Sequence, residues 1–154
     1  MGRTWQRALV IVLGSAALGL AFNAVSPRRL PYRTPPPVAR PATDLVPLPE
    51  ARQLWASGGA FFLDARPVAD YVAGHIPNAF HLPVNDFAAR WPQVEPLLTR
   101  EMALVVYCDG VACELSHQLR ARLGELGYGK ARVLVNGMTI WRGAGLPVAV
   151  GSEP

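Results

Sequence analysis

Hydrophobic and polar positions divide the chain into three stretches. Residues 8–25 (ALVIVLGSAALGLAFNAV) run for 18 positions without a charge. At ~1.5 Å rise per residue, a helix of that length comes close to the ~30 Å of a bilayer's hydrocarbon core. Arg3 and Arg7 flank it on one side and Arg28 and Arg29 on the other, with Trp5 and Tyr32 at interfacial positions. The pattern predicts a membrane anchor over residues 1–25, with a transmembrane helix over 8–25. A cleaved signal peptide fits less well: its apolar region is usually ~7–15 residues, and the cleavage match Ala24-Val25-Ser26 is followed by Pro27. Arginines on both flanks leave the side of the C-terminal domain open. Residues 26–43 carry six prolines (Pro27, Pro31, Pro35, Pro36, Pro37 and Pro41) and read as a semi-rigid Pro/Arg-rich spacer.

From residue 44 to 154 short apolar runs alternate with helical stretches. Residues 60–63 (AFFL), 103–107 (ALVVY) and 132–135 (RVLV) have the apolar character of buried strands, and 79–82 (AFHL) is a weaker fourth. Leu45 and Val46 suggest an edge strand before Pro47. Residues 49–56 start with a proline and end before Gly58-Gly59, as a helix does. Residues 114–126 place Leu115, Leu119, Leu123 and Leu126 at helical spacing and stop at Gly127. This alternation predicts an α/β domain with a parallel sheet covered by helices on both faces. Sites in such sheets form at the C-terminal strand ends.

Composition changes this picture in two places. The chain of 154 residues is 51% hydrophobic and 17% charged, which excludes a polar disordered chain and allows one well-packed domain. Its net charge of +4 is lopsided: all eleven acids lie at or after Asp44 with nine bases, so residues 44–154 carry −2 and six arginines sit in residues 1–43. The basic character belongs to the N-terminal tail, and nucleic-acid binding loses its support. Fourteen arginines against one lysine suit a GC-rich bacterial genome, so the expected location is single-pass in a bacterial inner membrane.

Two cysteines are too few for a disulfide-stapled scaffold. Cys108 follows the strongest strand directly and opens the loop Cys108-Asp109-Gly110-Val111-Ala112-Cys113 before the helix at Glu114. A thiol there faces loop amides and the positive end of a helix dipole, both of which stabilise an anionic sulfur. Gly110 lets the loop curl. The competing reading is a buried apolar cysteine. A phosphatase needs an arginine five residues past the loop cysteine's neighbour to clamp phosphate; Glu114 occupies that place and would repel it. His81 and His117 show no metal-ligand spacing with the cysteines, and no metal site is expected.

Four motifs, in order along residues 44–150, resemble the rhodanese (sulfurtransferase) family. Phe61-Phe62-Leu63-Asp64-Ala65-Arg66 is similar to that family's strand followed by Asp-x-Arg. Asp70-Tyr71-Val72-Ala73-Gly74-His75-Ile76-Pro77-Asn78-Ala79 is similar to its Gly-His-Ile-Pro-Gly-Ala element. Val105-Val106-Tyr107-Cys108 resembles the strand leading to the nucleophile. Leu134-Val135-Asn136-Gly137, with Trp141 and Gly145-Leu146-Pro147-Val148, resembles the closing signature. The resemblance implies a compact α/β domain with a five-stranded, mostly parallel sheet, in which Cys108 accepts sulfane sulfur as a persulfide and passes it to a thiol or other nucleophile. Asp109 to Cys113 would form the binding loop, with no metal or organic cofactor and with a small sulfur donor and a thiol acceptor as partners.

The chain departs from the family at Cys113, where many members place an arginine, and Asp109 adds a negative charge beside the nucleophile. Both disfavour anionic thiosulfate as donor. Cys113 could instead act as a resolving thiol that attacks the persulfide. Asp64, Arg66 and Asp70 are expected in structural support, Asp64 accepting loop hydrogen bonds and Arg66 pairing with Asp70, and His75 in a turn bonded to backbone. The competing function classes are a non-catalytic binding module of the same fold and a thiol redox protein using Cys108 and Cys113. The sequence names no protein partner.

Overall fold

The computed structural model describes residues 2–25, 44–110 and 114–152. The chain divides into two units, Met1–Ala39 and Arg40–Pro154. In the first, α1 (Gly2–Val25) is a single helix. Among the described residues no helix is long and apolar enough to cross a membrane, which corrects the expected transmembrane helix and the membrane localisation built on it. The spacer expected over 26–43 lies outside the described residues.

The second unit is built on four parallel strands: β1 (Phe61–Asp64), β2 (Phe80–His81), β3 (Leu104–Tyr107) and β4 (Ala131–Leu134), in the order β2-β1-β3-β4. The expected fifth strand is reduced to one parallel bridge between Leu45 and Val133. Val46 donates to the Val133 carbonyl at 2.9 Å, but Pro47 has no N–H and α2 (Leu48–Ser57) begins at once, so the ladder cannot continue. The sheet has four strands, not five.

Side chains alternate faces along a strand, and here the two faces face two cores. Leu63, Leu104 and Val106 pack with Phe87 and Val94 of α4 (Phe87–Val94) and Leu119 and Leu123 of α5 (Glu114–Glu125). Phe62, Val105 and Tyr107 pack with Ala51 of α2 and with Met138 and Trp141 of α6 (Gly137–Gly143). On this second side Trp141 is fully buried, edge-on to Trp55 at 5.5 Å, and its Nε1 donates to the Pro147 carbonyl at 2.8 Å. Three further helices were not anticipated from the pattern: α3 (Val68–Ala73), a short turn after Pro67; α4, which contains Pro92, a residue that reads as a helix breaker; and α6.

Two asparagines stand where the family signatures carry glycine, and both have left-handed backbone: Asn78 with φ 65° and Asn136 with φ 52°. Asparagine is the residue after glycine that tolerates this region best. Asn136 then starts α6, and Gly137 lets that helix lie directly against the sheet, because a Cβ at Gly137 would sit 2.6 Å from Tyr107 Cβ. Gly137→Ala should therefore force α6 away from β3 and lower stability by about 1–3 kcal/mol, the usual cost of overpacking. A urea midpoint equal to that of the unmodified protein would show that α6 does not need this contact.

Candidate functional site

Parallel strands of similar length bring their C-terminal ends to one rim, and the chain's ionisable and polar groups gather there. Asp64 ends β1, completely buried, and forms a buried ion pair with Arg66 at 2.6 Å. The pair is forked, since Arg66 Nε donates to Asp64 Oδ1 at 3.0 Å and Nη2 to Oδ2 at 2.6 Å. Arg66 Nη2 also donates to the Gly74 carbonyl at 2.7 Å. Burial works against the charge on Arg66, and the hydrogen bonds and charge of Asp64 outweigh it, so the guanidinium is held above its ordinary range. Arg66 thus pairs with Asp64 and not with Asp70, which is exposed on α3. Two residues apart and on a strand end, Asp64 is the nearer carboxylate.

Around this pair lie two tyrosines and two histidines. Tyr107, at the end of β3, accepts the Ile76 N–H at 3.1 Å, and its hydroxyl is pushed far above its usual range by burial and then by the Asp64 charge. Tyr71 donates to the Ala79 carbonyl at 2.8 Å and is pushed up to about 12, again by burial and Asp64. His81 donates from Nε2 to the Arg66 carbonyl at 2.9 Å, and burial lowers it below the usual imidazole range. His75, fully buried, stacks on Tyr71 at 3.9 Å, and its Nδ1 meets the Tyr71 carbonyl at 3.0 Å. Its main chain pairs with Ala149, which ties down the segment after Pro147.

Cys108 sits one residue past β3 at 1% exposure. Its Sγ lies 3.3 Å from the hydroxyl of Ser116, itself buried in the first turn of α5. Ser116 shares the buried stripe of α5 with Leu119 and Leu123; the sequence pattern assigned it no role, although a hydroxyl on an otherwise apolar stripe could have marked it. A serine donor toward a sulfur anion is a charge-assisted hydrogen bond. Cys108 is disulfide-bonded in this structure. Cys113, the chain's other cysteine, lies outside the described residues together with Val111 and Ala112.

The first part of the loop is fastened to the start of α6. Gly110, with φ 83°, donates its N–H to Asn136 Oδ1 at 2.9 Å and to Asp109 Oδ1 at 3.1 Å. The Thr139 hydroxyl donates to Asp109 Oδ1 in a short hydrogen bond. The Met138 N–H reaches the Cys108 carbonyl at 3.3 Å. The Asp109 carboxylate is therefore engaged by α6, and the Gly110 amide is spent on Asn136 rather than on the sulfur. The sequence pattern gave no role to Asn136 or Thr139, because they lie 26 and 30 positions beyond their partners Gly110 and Asp109 and the β3–β4 pairing brings them together.

Comparison with known proteins places this geometry. Residues 48–144 match the Rhodanese-like domain family. The chain is 34% identical over 96 residues to an HTH-type transcriptional regulator of Mycobacterium tuberculosis, covering 62% of this chain and 40% of that protein. It is 31% identical over 86 residues to a sulfurtransferase of Allochromatium vinosum, covering 56% of this chain and 75% of that one. Among solved structures, the human single-domain sulfurtransferase superposes with a TM-score of 0.56 at 29% identity, covering 65% of this chain and 96% of that one. The chain thus spans less than half of the mycobacterial relative and most of the two sulfurtransferases. With the Cys108 loop at the end of β3, the buried Asp-x-Arg pair and a family match over more than half its length, the chain belongs to the rhodanese-like domain family.

Proposed function

We propose that the protein carries sulfane sulfur as a persulfide on Cys108 and hands it to a thiol or other nucleophile. The observation that carries this reading is the buried Cys108 sulfur at the sheet's C-terminal rim, 3.3 Å from the Ser116 hydroxyl. In the first step the Cys108 thiolate attacks the outer sulfur of a donor. A Cys108–sulfur bond forms, the donor's own bond to that sulfur breaks, and the donor departs with the electron pair. In the second step an acceptor thiolate takes the outer sulfur and Cys108 leaves as thiolate. Ser116 stabilises the anion at the start and the end of the cycle. The loop amides of Val111, Ala112 and Cys113 are the remaining candidates for holding the outer sulfur.

A second step is supported by the disulfide-bonded state of Cys108. With one other cysteine in the chain, Cys113 is the candidate resolving thiol. Its thiolate would attack the Cys108 sulfur of the persulfide and release hydrosulfide with the bonding pair. The sulfane sulfur is reduced to sulfide, and the two cysteines are oxidised to a disulfide. Relatives as different as a transcriptional regulator and a sulfurtransferase keep the non-catalytic binding module in view as the competing class. It predicts that no sulfur is taken up.

Three outcomes follow. After reduction and exposure to polysulfide, intact mass should show one added sulfur that Cys108→Ser abolishes; uptake that survives Cys108→Ser overturns the assignment. Ser116→Ala should slow sulfur loading at neutral pH by about tenfold or more, the worth of a hydrogen bond to a charged group. Ser116→Thr should restore much of the rate, and alkylation of Cys108 in the alanine variant should need higher pH. An unchanged alkylation profile would reduce Ser116 to a packing residue. On prolonged incubation the resolving step predicts loss of the added sulfur and of two hydrogens, absent in Cys113→Ala, whereas a persistent added sulfur in both proteins refutes resolution.

A further inference from the structure

A cavity of about 190 Å³ lies on the β1–β2 side of the rim, lined among others by Ala65, His81, Val84, Asn85, Asp86 and Leu115. It is next to the nucleophile in the fold. Ala65 donates its N–H to the Tyr107 carbonyl, one residue before Cys108, at 2.9 Å. Leu115 precedes Ser116, whose hydroxyl touches the Cys108 sulfur. The reaction as described assigns this cavity nothing. We propose that it is the acceptor site for sulfur transfer and that it selects small neutral or amine-bearing thiols over anionic ones. The inference rests on the persulfide reading of Cys108.

Size makes the first selection. The cavity is smaller than the ~300–1,000 Å³ of sites for drug-sized ligands and equals roughly six water volumes, which suits a thiol of a few heavy atoms. Charge makes the second. Asp86 is exposed and N-caps α4 without spending its carboxylate on a capping bond, so that negative group is available to an ammonium. Among the described residues no arginine or lysine lines the cavity. Arg90 and Arg66 act electrostatically on His81, as do Asp64 and the burial of the ring, but neither arginine reaches the lining, and Arg66 is neutralised by Asp64. An anionic acceptor would therefore meet a carboxylate and no partner of opposite charge.

His81 supplies the chemistry that the apolar wall lacks. Its Nε2–H is committed to the Arg66 carbonyl, so Nδ1 carries the lone pair of the neutral ring. The acceptor thiol gives its proton to Nδ1, and its sulfur bonds to the outer sulfur of the Cys108 persulfide. The Cys108–sulfur bond breaks, and its electron pair remains on the Cys108 sulfur, facing the Ser116 hydroxyl. No external oxidant or reductant enters, since the sulfane sulfur only changes its partner.

The test uses the full chain with Cys108 loaded from polysulfide and the loading checked by intact mass. Single-turnover discharge is then timed with cysteamine, 2-mercaptoethanol and 2-mercaptoethanesulfonate, each rate divided by that thiol's rate toward a free small-molecule persulfide. The expected result is at least tenfold faster normalised discharge to the first two than to the sulfonate. Asp86→Lys should slow cysteamine and speed the sulfonate by several-fold, and Val84→Trp should slow all three by filling the cavity. His81→Gln should slow discharge while sulfur loading is retained. Equal normalised rates for the three thiols, or Asp86→Lys and Val84→Trp proteins that load normally and discharge like the parent, would overturn the acceptor site while leaving the persulfide reading intact. Failure of the parent to load at all would overturn the persulfide reading and this inference with it.

Discussion

The forked ion pair between Asp64 and Arg66 is the constraint on which the rim depends. Both groups are buried, and two charges taken out of water are costly unless their remaining hydrogen-bonding capacity is used. Here it is used on three elements. Asp64 closes β1, Arg66 fastens the Gly74 carbonyl at the end of α3, and the Arg66 carbonyl fixes His81 at the end of β2. Removing either partner would leave an uncompensated buried charge, a loss of about 3–5 kcal/mol. Burial, and after it the same carboxylate, raises Tyr107 and Tyr71. A balanced charge pair thus keeps the floor of the site electrically quiet.

On that floor Cys108 is set by two different attachments. Behind it, β3 is a central strand paired on both edges, which fixes the position of Tyr107 and therefore of the next residue. In front, the loop is fastened through Gly110 and Asp109 to Asn136 and Thr139 at the start of α6. The left-handed backbone of Asn136 turns its chain from β4 into α6 at the point where its side chain meets the loop. One residue thus supplies both the turn and the anchor. The arrangement also changes the electrostatics expected around Cys108, because the Asp109 carboxylate is occupied by a hydroxyl and an amide of its surroundings. Its repulsion of an anionic donor is correspondingly weaker than an unpartnered carboxylate beside the thiol would produce.

Family membership and reaction rest on different grounds. The fold and the family follow from the match over residues 48–144 together with the strand, loop and ion-pair geometry. The proposed reaction depends on the Cys108 sulfur, the Ser116 hydroxyl and an acceptor's route to them, and a shared fold does not by itself supply these. The mycobacterial relative shows the difference, since its name describes a regulator more than twice as long as the aligned segment.

Residues 44–154 alone determined the fold class, the strand that ends at Cys108 and the identity of the loop, because apolar period and glycine placement are local properties of a chain. Boundaries moved by about one residue: residues 60–63 became Phe61–Asp64 and 132–135 became Ala131–Leu134. The reading failed where neighbours in space are remote in sequence. Leu45 and Val46 have strand character, but Pro47 leaves them a single bridge. Residues 8–25 count as an apolar run, yet among the described residues no helix is long and apolar enough to cross a membrane. Arg66 has acids at two and four residues' distance, and the pleat and burial of β1 choose Asp64. Ser116, Asn136, Thr139 and the cavity beside His81 acquire meaning only through tertiary structure. Propensity acts over a few residues, whereas the positions of these groups are set by which strands pair and which helices cover them.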